Sequence, residues 1–528
     1  MDKEAKHKEH EHKAEHAAKH EHSHKAVHKA APSSDKKDAP SNKGITISKE
    51  DNFSDWYSEL VQKAELADLR YNIKGFVCYL PWAVLSIKKM YSKYENILEK
   101  NGHLPLIMPS LIPESNFLLE SKHVEGFAPD VFWVTEIGAG EKLPERLALR
   151  PTSETALYKM YSYWVRSYND LPFKRYQSCQ VWRAEGTKAT RPFLRAREFH
   201  WIEAHNVFAT MEDAEKQIIE DMDVTYSMLQ DEFAIPVIFF QRPEWDKFPG
   251  AVHTYAADAL MDSGKVIQLP STHLLGQNFS KPFNVSFTDK DGLSKYGFIT
   301  CYGPAISRIY GAMAAILGDD KGLVLPFDLA PYQIVIVPIL FKDADENIIA
   351  KCREIERALS KHYRVHIDAR DLSVGEKYNQ WEIKGVPVRI ELGPKDLAND
   401  SVVVVKRTEG KKHHIKLNEL SHEIDLIAKS FTNDLRDKQL QKLNDYIKDC
   451  DSLDDIKNAV ENKHMARVPF CSTELDGAEC AAKIEKQLGA FVRGTKFGEE
   501  ELAKTTKHQK CVICGKPATQ TVYVAKSY

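Results

Sequence analysis

The chain has 528 residues, 43% of them hydrophobic and 28% charged, and a formal net charge of −3. That length exceeds one ordinary core and predicts roughly three domains, while the small net charge leaves any nucleic-acid partner to local basic patches. No apolar run approaches the roughly 18 residues of a membrane span, and no apolar signal core opens the chain. Nine cysteines without such a signal predict a reducing, cytoplasmic setting, where paired cysteines more often mean metal than disulfide.

Residues 1–50 are rich in His, Lys, Glu and Ala, with eight histidines in the first thirty positions. They have little to bury and are expected to form a solvated tail. From Phe53 the pattern changes. In "WAVLSIKKMYSKYENILEKNG", Leu85, Met90, Tyr94, Ile97 and Leu98 recur at helical spacing with a glycine past the end. "HLPLIMPSLIP" reads as a short apolar strand that packs on a second subunit or on the chain's own core. The next informative stretch is "RAEGTKATRPFLRAREFHWIEAH", 183–205. If 194–205 is a strand, Arg195, Arg197, Phe199, Trp201, Glu203 and His205 share one face. A solvated charged face is the plain alternative. A row of guanidinium, ring, carboxylate and imidazole better suits a site that holds an anion, a ring and an ammonium group together.

Between 331 and about 425, strands such as "YQIVIVPI" and "SVVVVKR" alternate with helical patterns, which predicts a compact α/β domain. A strongly helical segment then opens a last module. There "CVIC" (Cys511, Cys514) has the spacing of a metal knuckle, and Cys471 with Cys480 can complete four thiolates. Such a closed tetrahedral set suits structural Zn²⁺. Cys78, Cys179, Cys352 and Cys450 read as apolar fillers, and "KMYSK" at 89–93 as helix surface.

Taken in order, these blocks resemble the class II aminoacyl-tRNA synthetases. The segments "QVWRAEG" and "RPFLRAREFHWIEAH" resemble motif 2, two antiparallel strands joined by a loop. "PLIMPSL" with Pro109 resembles motif 1, and "CYGPAISRIYGAM" with Arg308 resembles motif 3. "RPTSETALYKMYSYW" is similar to the threonine–glutamate loop of the proline branch, accompanied by "HVEGFAPDVFWVT" and "STHLLGQNFS". "EKYNQWEIKGVPVRIELGPKD" is similar to the anticodon-binding domain of prolyl-tRNA synthetases, and "KCVICG" with the ending "AKSY" to their archaeal and eukaryotic-like form. The resemblance covers about residues 51–528. It implies an α+β protein with a class II antiparallel-sheet catalytic domain over 51–328. An α/β anticodon-binding domain over 329–430 and a small α+β C-terminal zinc-containing domain over 431–528 would follow.

By the same resemblance the chain activates proline with ATP to prolyl-adenylate and transfers it to the 3′ end of tRNA(Pro), as a homodimer, with Mg²⁺ accompanying ATP. Arg183 and Arg308 would be the catalytic arginines. Arg183 would bridge the α-phosphate and the proline carboxylate, and Glu185 would accept from the adenine amino group. Phe193 and Arg308 would sandwich the adenine, Arg195 would reach the outer phosphates, and Gln268 and Ser271 would contact the nucleotide. Thr152 and Glu154 would hold the secondary ammonium of proline. Phe127, Trp201, Glu203 and His205 would wall its ring, with His273 and Cys301 closing the pocket. Glu382 and Arg389 would read the anticodon guanines, and Arg407 would hold backbone phosphate. An apolar pocket separates ligands by only about 1–3 kcal/mol per methylene, so alanine and cysteine should leak in. The segment between Phe208 and Cys301 is too short for the editing insertion of bacterial relatives. "CYGPAISR" departs from the Ser-Trp-Gly form of many relatives, and eight residues between Cys471 and Cys480 exceed the family's usual spacing. The rival expectations are a sister enzyme for threonine, serine or glycine, and an RNA-binding relative that no longer aminoacylates.

Overall fold

The structure, a computed structural model, describes residues 44–121, 131–340, 346–498 and 509–528. Phe127 and the histidine-rich segment through residue 43 lie outside the described residues. Residues 44–50, expected to belong to a solvated tail, are instead anchored on the folded chain. The amides of Thr46 and Ile47 donate to Glu59 Oε2 (2.9 and 3.1 Å) on helix α1 (Phe53–Lys63). Lys49 Nζ donates to the Gly318 carbonyl (2.7 Å) and pairs with Asp262 (2.6 Å). A few anchoring residues at the edge of a polar tract are invisible to a compositional reading.

Helix α2 (Pro81–Lys100) opens on a proline, where the missing N–H has no partner to lose. It buries Met90, Tyr94 and Leu98 and leaves Leu85 exposed. The apolar run after it yields β1 (Leu104–Pro105) and, past Pro109, a second short strand at Leu111–Pro113 that pairs antiparallel with Leu147–Leu149 in a separate small sheet. The catalytic sheet comprises β1, β2 (Phe173–Trp182), β3 (Glu198–Phe208), β4 (Ile238–Gln241), β5 (His253–Leu260), β6 (Lys265–Gly276) and β7 (Phe298–Gly303). They lie in the order β1-β2-β3-β7-β6-β5-β4, antiparallel throughout except β1 against β2.

Three helices serve this sheet. Helix α3 (Glu154–Trp164) precedes β2, and α4 (Met211–Tyr226) packs on β6 and β7. Helix α5 (Ile306–Leu317), packed on β3 and α2, is apolar almost all round and accordingly buried all round except at Arg308. Gly311 lets α5 come close: a Cβ there would stand 2.6 Å from Phe193 Cβ.

The α/β unit holds β8 (Ile334–Pro338), α6 (Glu346–Leu359), β9 (Val365–Ile367), α7 (Val374–Ile383), β10 (Val388–Leu392), β11 (Ser401–Lys406) and β12 (Lys412–Lys416). Its sheet order is β9-β8-β10-β11-β12, with β8 parallel to both neighbours. Strand β8 is buried at every position, as befits its unbroken apolar sequence. Helix α8 (Leu420–Asp445) runs straight across residue 430, so this unit and the last module share one helix. The module adds β13 (Ile447–Asp449), α9 (Leu453–Glu461), β14 (Met465–Phe470), α10 (Ala478–Leu488), β15 (Phe491–Lys496) and β16 (Gln520–Ser527). Its strands extend the catalytic sheet through β4–β15 pairing, giving eleven strands in all among the described residues.

Candidate active site

Strand β3 begins at Glu198 and not at 194, so Arg195 and Arg197 belong to the connection from β2. Two contacts pull them off the strand: Arg195 pairs back onto Arg191, and the Arg197 amide donates to the Gly75 carbonyl (2.9 Å). Alternation then holds along β3. Phe199, Trp201, Glu203 and His205 face one cavity of about 570 Å³, while Ile202 and Ala204 are buried in the core behind. Thr152 and Glu154 at the start of α3, Gln268, Ser271 and His273 of β6, Cys301 of β7 and Arg308 of α5 line the same space. Gly303 is required there, because a Cβ would stand 2.7 Å from the Trp201 indole.

One end of the cavity is built around two buried carboxylates. Glu203 accepts from the Ser153 amide and hydroxyl (both 2.9 Å) and from the Cys179 thiol (3.3 Å). Gln177 fixes that serine (2.8 Å). Thr152 donates to Glu154, which sits in the first turn of α3. Burial raises the Glu154 carboxyl and the neighbouring Glu203 adds to the rise, against the pull of His205. Burial acts the same way on Glu203, but hydrogen bonds from His205, Ser153 and Cys179 outweigh it and lower that carboxyl. Of the two, Glu154 keeps its proton longer, and a cation placed beside it would be strongly favoured. His205 is oriented by Tyr158 Oη on Nδ1 (2.9 Å), with Nε2 3.4 Å from Glu203. His273 lies between Thr254 and Ser271 hydroxyls (2.9 and 3.0 Å), and burial, reinforced by His205 and Arg242, drops it to about 3, so it is neutral.

The other end is cationic and aromatic. The Arg183 guanidinium lies 4.9 Å from the Trp201 ring and 5.3 Å from Phe199, donates to the Pro151 carbonyl (3.2 Å), and forms no ion pair among the described residues. Arg308 donates to the Leu194 carbonyl (3.0 Å) and lies 6.0 Å from the Phe199 ring. Burial, reinforced by Arg183, lowers its guanidinium to about 10. Arg195 is held by Glu185 through two bonds to one oxygen (3.0 and 2.7 Å).

Phe193 is a correction. Its backbone has φ +63, and the ring is buried in the core against Tyr79 (4.7 Å) and Tyr310 (5.3 Å), away from the cavity. Phe199, two positions before Trp201 on the same face, is the ring that meets Arg308. The cavity also takes in Arg242, Asp246, Lys247 and Phe248, which no motif had marked. Phe248 packs 4.7 Å from His273. Their signal was only a charged, aromatic "RPEWDKFPG" between two apolar strands.

Away from the cavity, Cys471, Cys480, Cys511 and Cys514 converge with every sulfur within 4.8 Å of the others. The long gap between the first two is taken up by a loop and the first turn of α10, which carries Cys480 back. Glu382 ends α7 with Lys321 Nζ at 3.5 Å, and Arg389 of β10 bonds Glu391 (3.1 Å) and lies 4.0 Å from the Tyr378 ring. Arg407 is a second correction. Both terminal nitrogens bond Asp319 (2.9 and 2.5 Å), Nε bonds the Glu382 carbonyl (3.1 Å), and the side chain is 3% exposed. It is occupied in joining the α/β unit to the catalytic unit and is not presented to RNA.

Family profiles match in three consecutive blocks: the tRNA synthetase class II core domain (G, H, P, S and T) over 132–317, an anticodon binding domain over 333–426, and the prolyl-tRNA synthetase C-terminal domain over 453–528. A proline--tRNA ligase of Thermofilum pendens is 48% identical over 92% of this chain and all of its own length. One of Methanosarcina mazei is 42% identical over 93% of this chain and all of its own. A Giardia lamblia prolyl-tRNA synthetase solved with prolyl-adenylate superposes with a TM-score of 0.88 at 37% identity, covering 92% of this chain and all of that one. No helix among the described residues is long and apolar enough to cross a membrane. With the class II core, the anticodon-binding unit and the family's own C-terminal domain all in place, the chain belongs to the prolyl-tRNA synthetases and is a proline--tRNA ligase.

Proposed function

We propose that the cavity seats ATP and proline side by side and joins them at Arg183. The observation that carries this is the position of that half-buried guanidinium, without an ion pair among the described residues, between the two-carboxylate end and the Phe199–Arg308 end. Proline's secondary ammonium sits between Thr152 and Glu154, with Glu203 and His205 behind and Trp201, His273 and Cys301 around the ring. Adenine lies between Phe199 and Arg308, with Glu185 accepting from its amino group and Gln268, Ser271 and Arg195 along the nucleotide. Arginine's fork holds the α-phosphate and the proline carboxylate at once. A carboxylate oxygen forms the new bond to the α-phosphorus as the bond to the β-phosphate oxygen breaks and pyrophosphate leaves. The terminal ribose hydroxyl of tRNA(Pro) then takes the prolyl group from AMP. Position and charge carry the rate, since little covalent help is needed.

Mg²⁺ bound to ATP would supply the counter-charge of its phosphates. The four clustered cysteines fit a structural Zn²⁺, which would tie α10 to the Cys511–Cys514 turn. Glu382 and Arg389 are the anticodon contacts. Exposed Leu104, Ile107 and Leu111 beside β1 are the apolar face of a homodimer, and the enzyme works in the cytoplasm. Alanine and cysteine enter the pocket as well. Residues 209–297 hold α4, three strands of the catalytic sheet and a small separate hairpin, which supports the reading that the chain carries no editing insertion between β3 and β7. Amino-acid-dependent ATP–pyrophosphate exchange without tRNA tests this. Proline should be fastest, alanine and cysteine measurable, threonine and serine near background. Exchange with none of them would sink the proposal.

A further inference from the structure

Asp258 on β5 is buried behind the wall of the active site and takes two guanidiniums at once. Arg242 donates to it from Nη1 and Nη2 (3.1 and 2.7 Å), and Arg493 from Nε and Nη2 (2.7 and 3.2 Å). All three side chains are buried, at 1%, 8% and 0% exposure for Arg242, Arg493 and Asp258. Arg242 continues inward, donating to Gln268 Oε1 (3.1 Å), and both residues line the cavity. Arg493 comes from elsewhere: it belongs to β15 of the C-terminal module.

The local sequence explains how it reaches so far. Strand β15 is bulged between Val492 and Gly494, and Gly494 has φ +116. A Cβ at Gly494 would stand 2.0 Å from the Gln241 carbonyl oxygen, so only glycine lets the module's strand close on β4 here. The bulge re-aims the preceding side chain into the catalytic sheet.

Two guanidiniums facing one buried carboxylate leave one positive charge that only a half-exposed acid, Asp246, opposes. Burial would raise the Asp258 carboxyl, but the two arginines outweigh it and hold it at about 2, so the carboxylate stays charged. Asp246 lies 3.8 Å from Arg242 Nε, where solvent weakens its hold on that charge. Without Arg493, Asp258 would neutralise Arg242 alone and the wall beside Gln268 would lose its net charge.

We propose that Arg493 is a positioning residue for the nucleotide: by sharing Asp258 it frees positive charge on the Arg242–Gln268 wall to draw and orient the polyphosphate of ATP. This rests on the cavity being the ATP site, and it gives the C-terminal module a part in the first half-reaction.

The test is the ATP dependence of proline-driven pyrophosphate exchange in the full-length enzyme. Arg493→Gln should raise KM for ATP roughly tenfold, the scale of one charge across a part-buried site, with KM for proline changed less than about twofold. Arg493→Lys keeps the charge and should hold KM for ATP within about threefold. Asp246→Asn removes the opposing charge at an exposed position and should lower KM for ATP about twofold. Equal rises in both KM values for Arg493→Gln, or a lysine variant as impaired as the glutamine one, would overturn the proposal. So would Asp246→Asn leaving KM for ATP unchanged or higher, an arm that remains decisive if Arg493→Gln does not fold. Absence of ATP-dependent exchange in the wild type would overturn the reading of the cavity and this proposal with it, whereas normal wild-type exchange with unresponsive variants overturns the proposal alone.

Discussion

Behind the pocket, on the other side of β6, Asp221 of α4 accepts from the Thr272 hydroxyl (2.6 Å) and from Gln217 Nε2 (2.8 Å) at 1% exposure. Burial lifts its carboxyl from 3.8 to about 7 against the pull of those two donors. The folded chain therefore binds a proton that the unfolded chain releases. For an acid with a raised folded value, the stabilisation is complete below about pH 4 and is lost as pH rises through 7, by roughly 1.4 kcal/mol per unit. Asp221→Asn removes that dependence. Denaturation at pH 5 and pH 8 should show the wild type losing roughly 3 kcal/mol relative to the variant; parallel losses would refute the shift. At this scale the sequence is an uneven guide. Phe193 follows Pro192 and Phe199 follows Glu198 within one motif, and residue type alone does not say which ring faces the cavity. The left-handed backbone at Phe193, which turns its ring into the core beside Gly311, is a tertiary outcome. Strand parity, a local rule, had already set Phe199 on the face of Trp201.

Elements whose identity depends on near neighbours were legible: β3 by alternation, α2 by its stripe, β8 by its unbroken apolar run. Their ends were not, because β3 stops being a strand where Arg197 finds Gly75, a partner that no window of sequence contains, and where Arg195 turns back onto Arg191. The cysteine cluster combines both cases. The Cys511–Cys514 spacing is local, but the fit of Cys480 depends on α10 returning it to Cys471. Trp245 packs against that module's core and the Glu244 amide donates to the Thr473 carbonyl (2.9 Å), so the cluster also steadies the loop carrying Arg242 to Phe248. Elemental analysis should find one zinc per chain. Cys480→Ser should lose it, destabilise the module by on the order of 3 kcal/mol or more, and expose residues 450–528 to proteolysis. Full metal retention in that variant would remove Cys480 from the ligand set.

Across the whole molecule, the α/β unit is docked by backbone as much as by side chains. The Leu323 amide donates to the Ile383 carbonyl (2.9 Å), and glycine is needed on both sides. A Cβ at Gly322 would stand 2.3 Å from Ile383 Cα, and one at Gly385 2.6 Å from the Leu323 oxygen. Trp82 of α2 donates to the Lys384 carbonyl (2.9 Å), and the Arg407–Asp319 pair, 88 residues apart in sequence, closes the junction. Such long separations are why the sequence suggested Arg407 for RNA. The junction lies far along the chain from the reacting groups yet fixes where the anticodon unit stands relative to them, so its loss should separate the two half-reactions. Arg407→Ala leaves Asp319 half-exposed and hydrated, which limits the loss to roughly 1–3 kcal/mol of docking. Pyrophosphate exchange with proline should stay within about twofold of wild type, because the cavity is untouched. Charging of tRNA(Pro), which needs both ends of the RNA held at once, should fall by roughly tenfold. Asp319→Ala should reproduce the split, and the double variant should be no worse than either single one. A fall in charging that appears only in Arg407→Ala would return that side chain to the RNA.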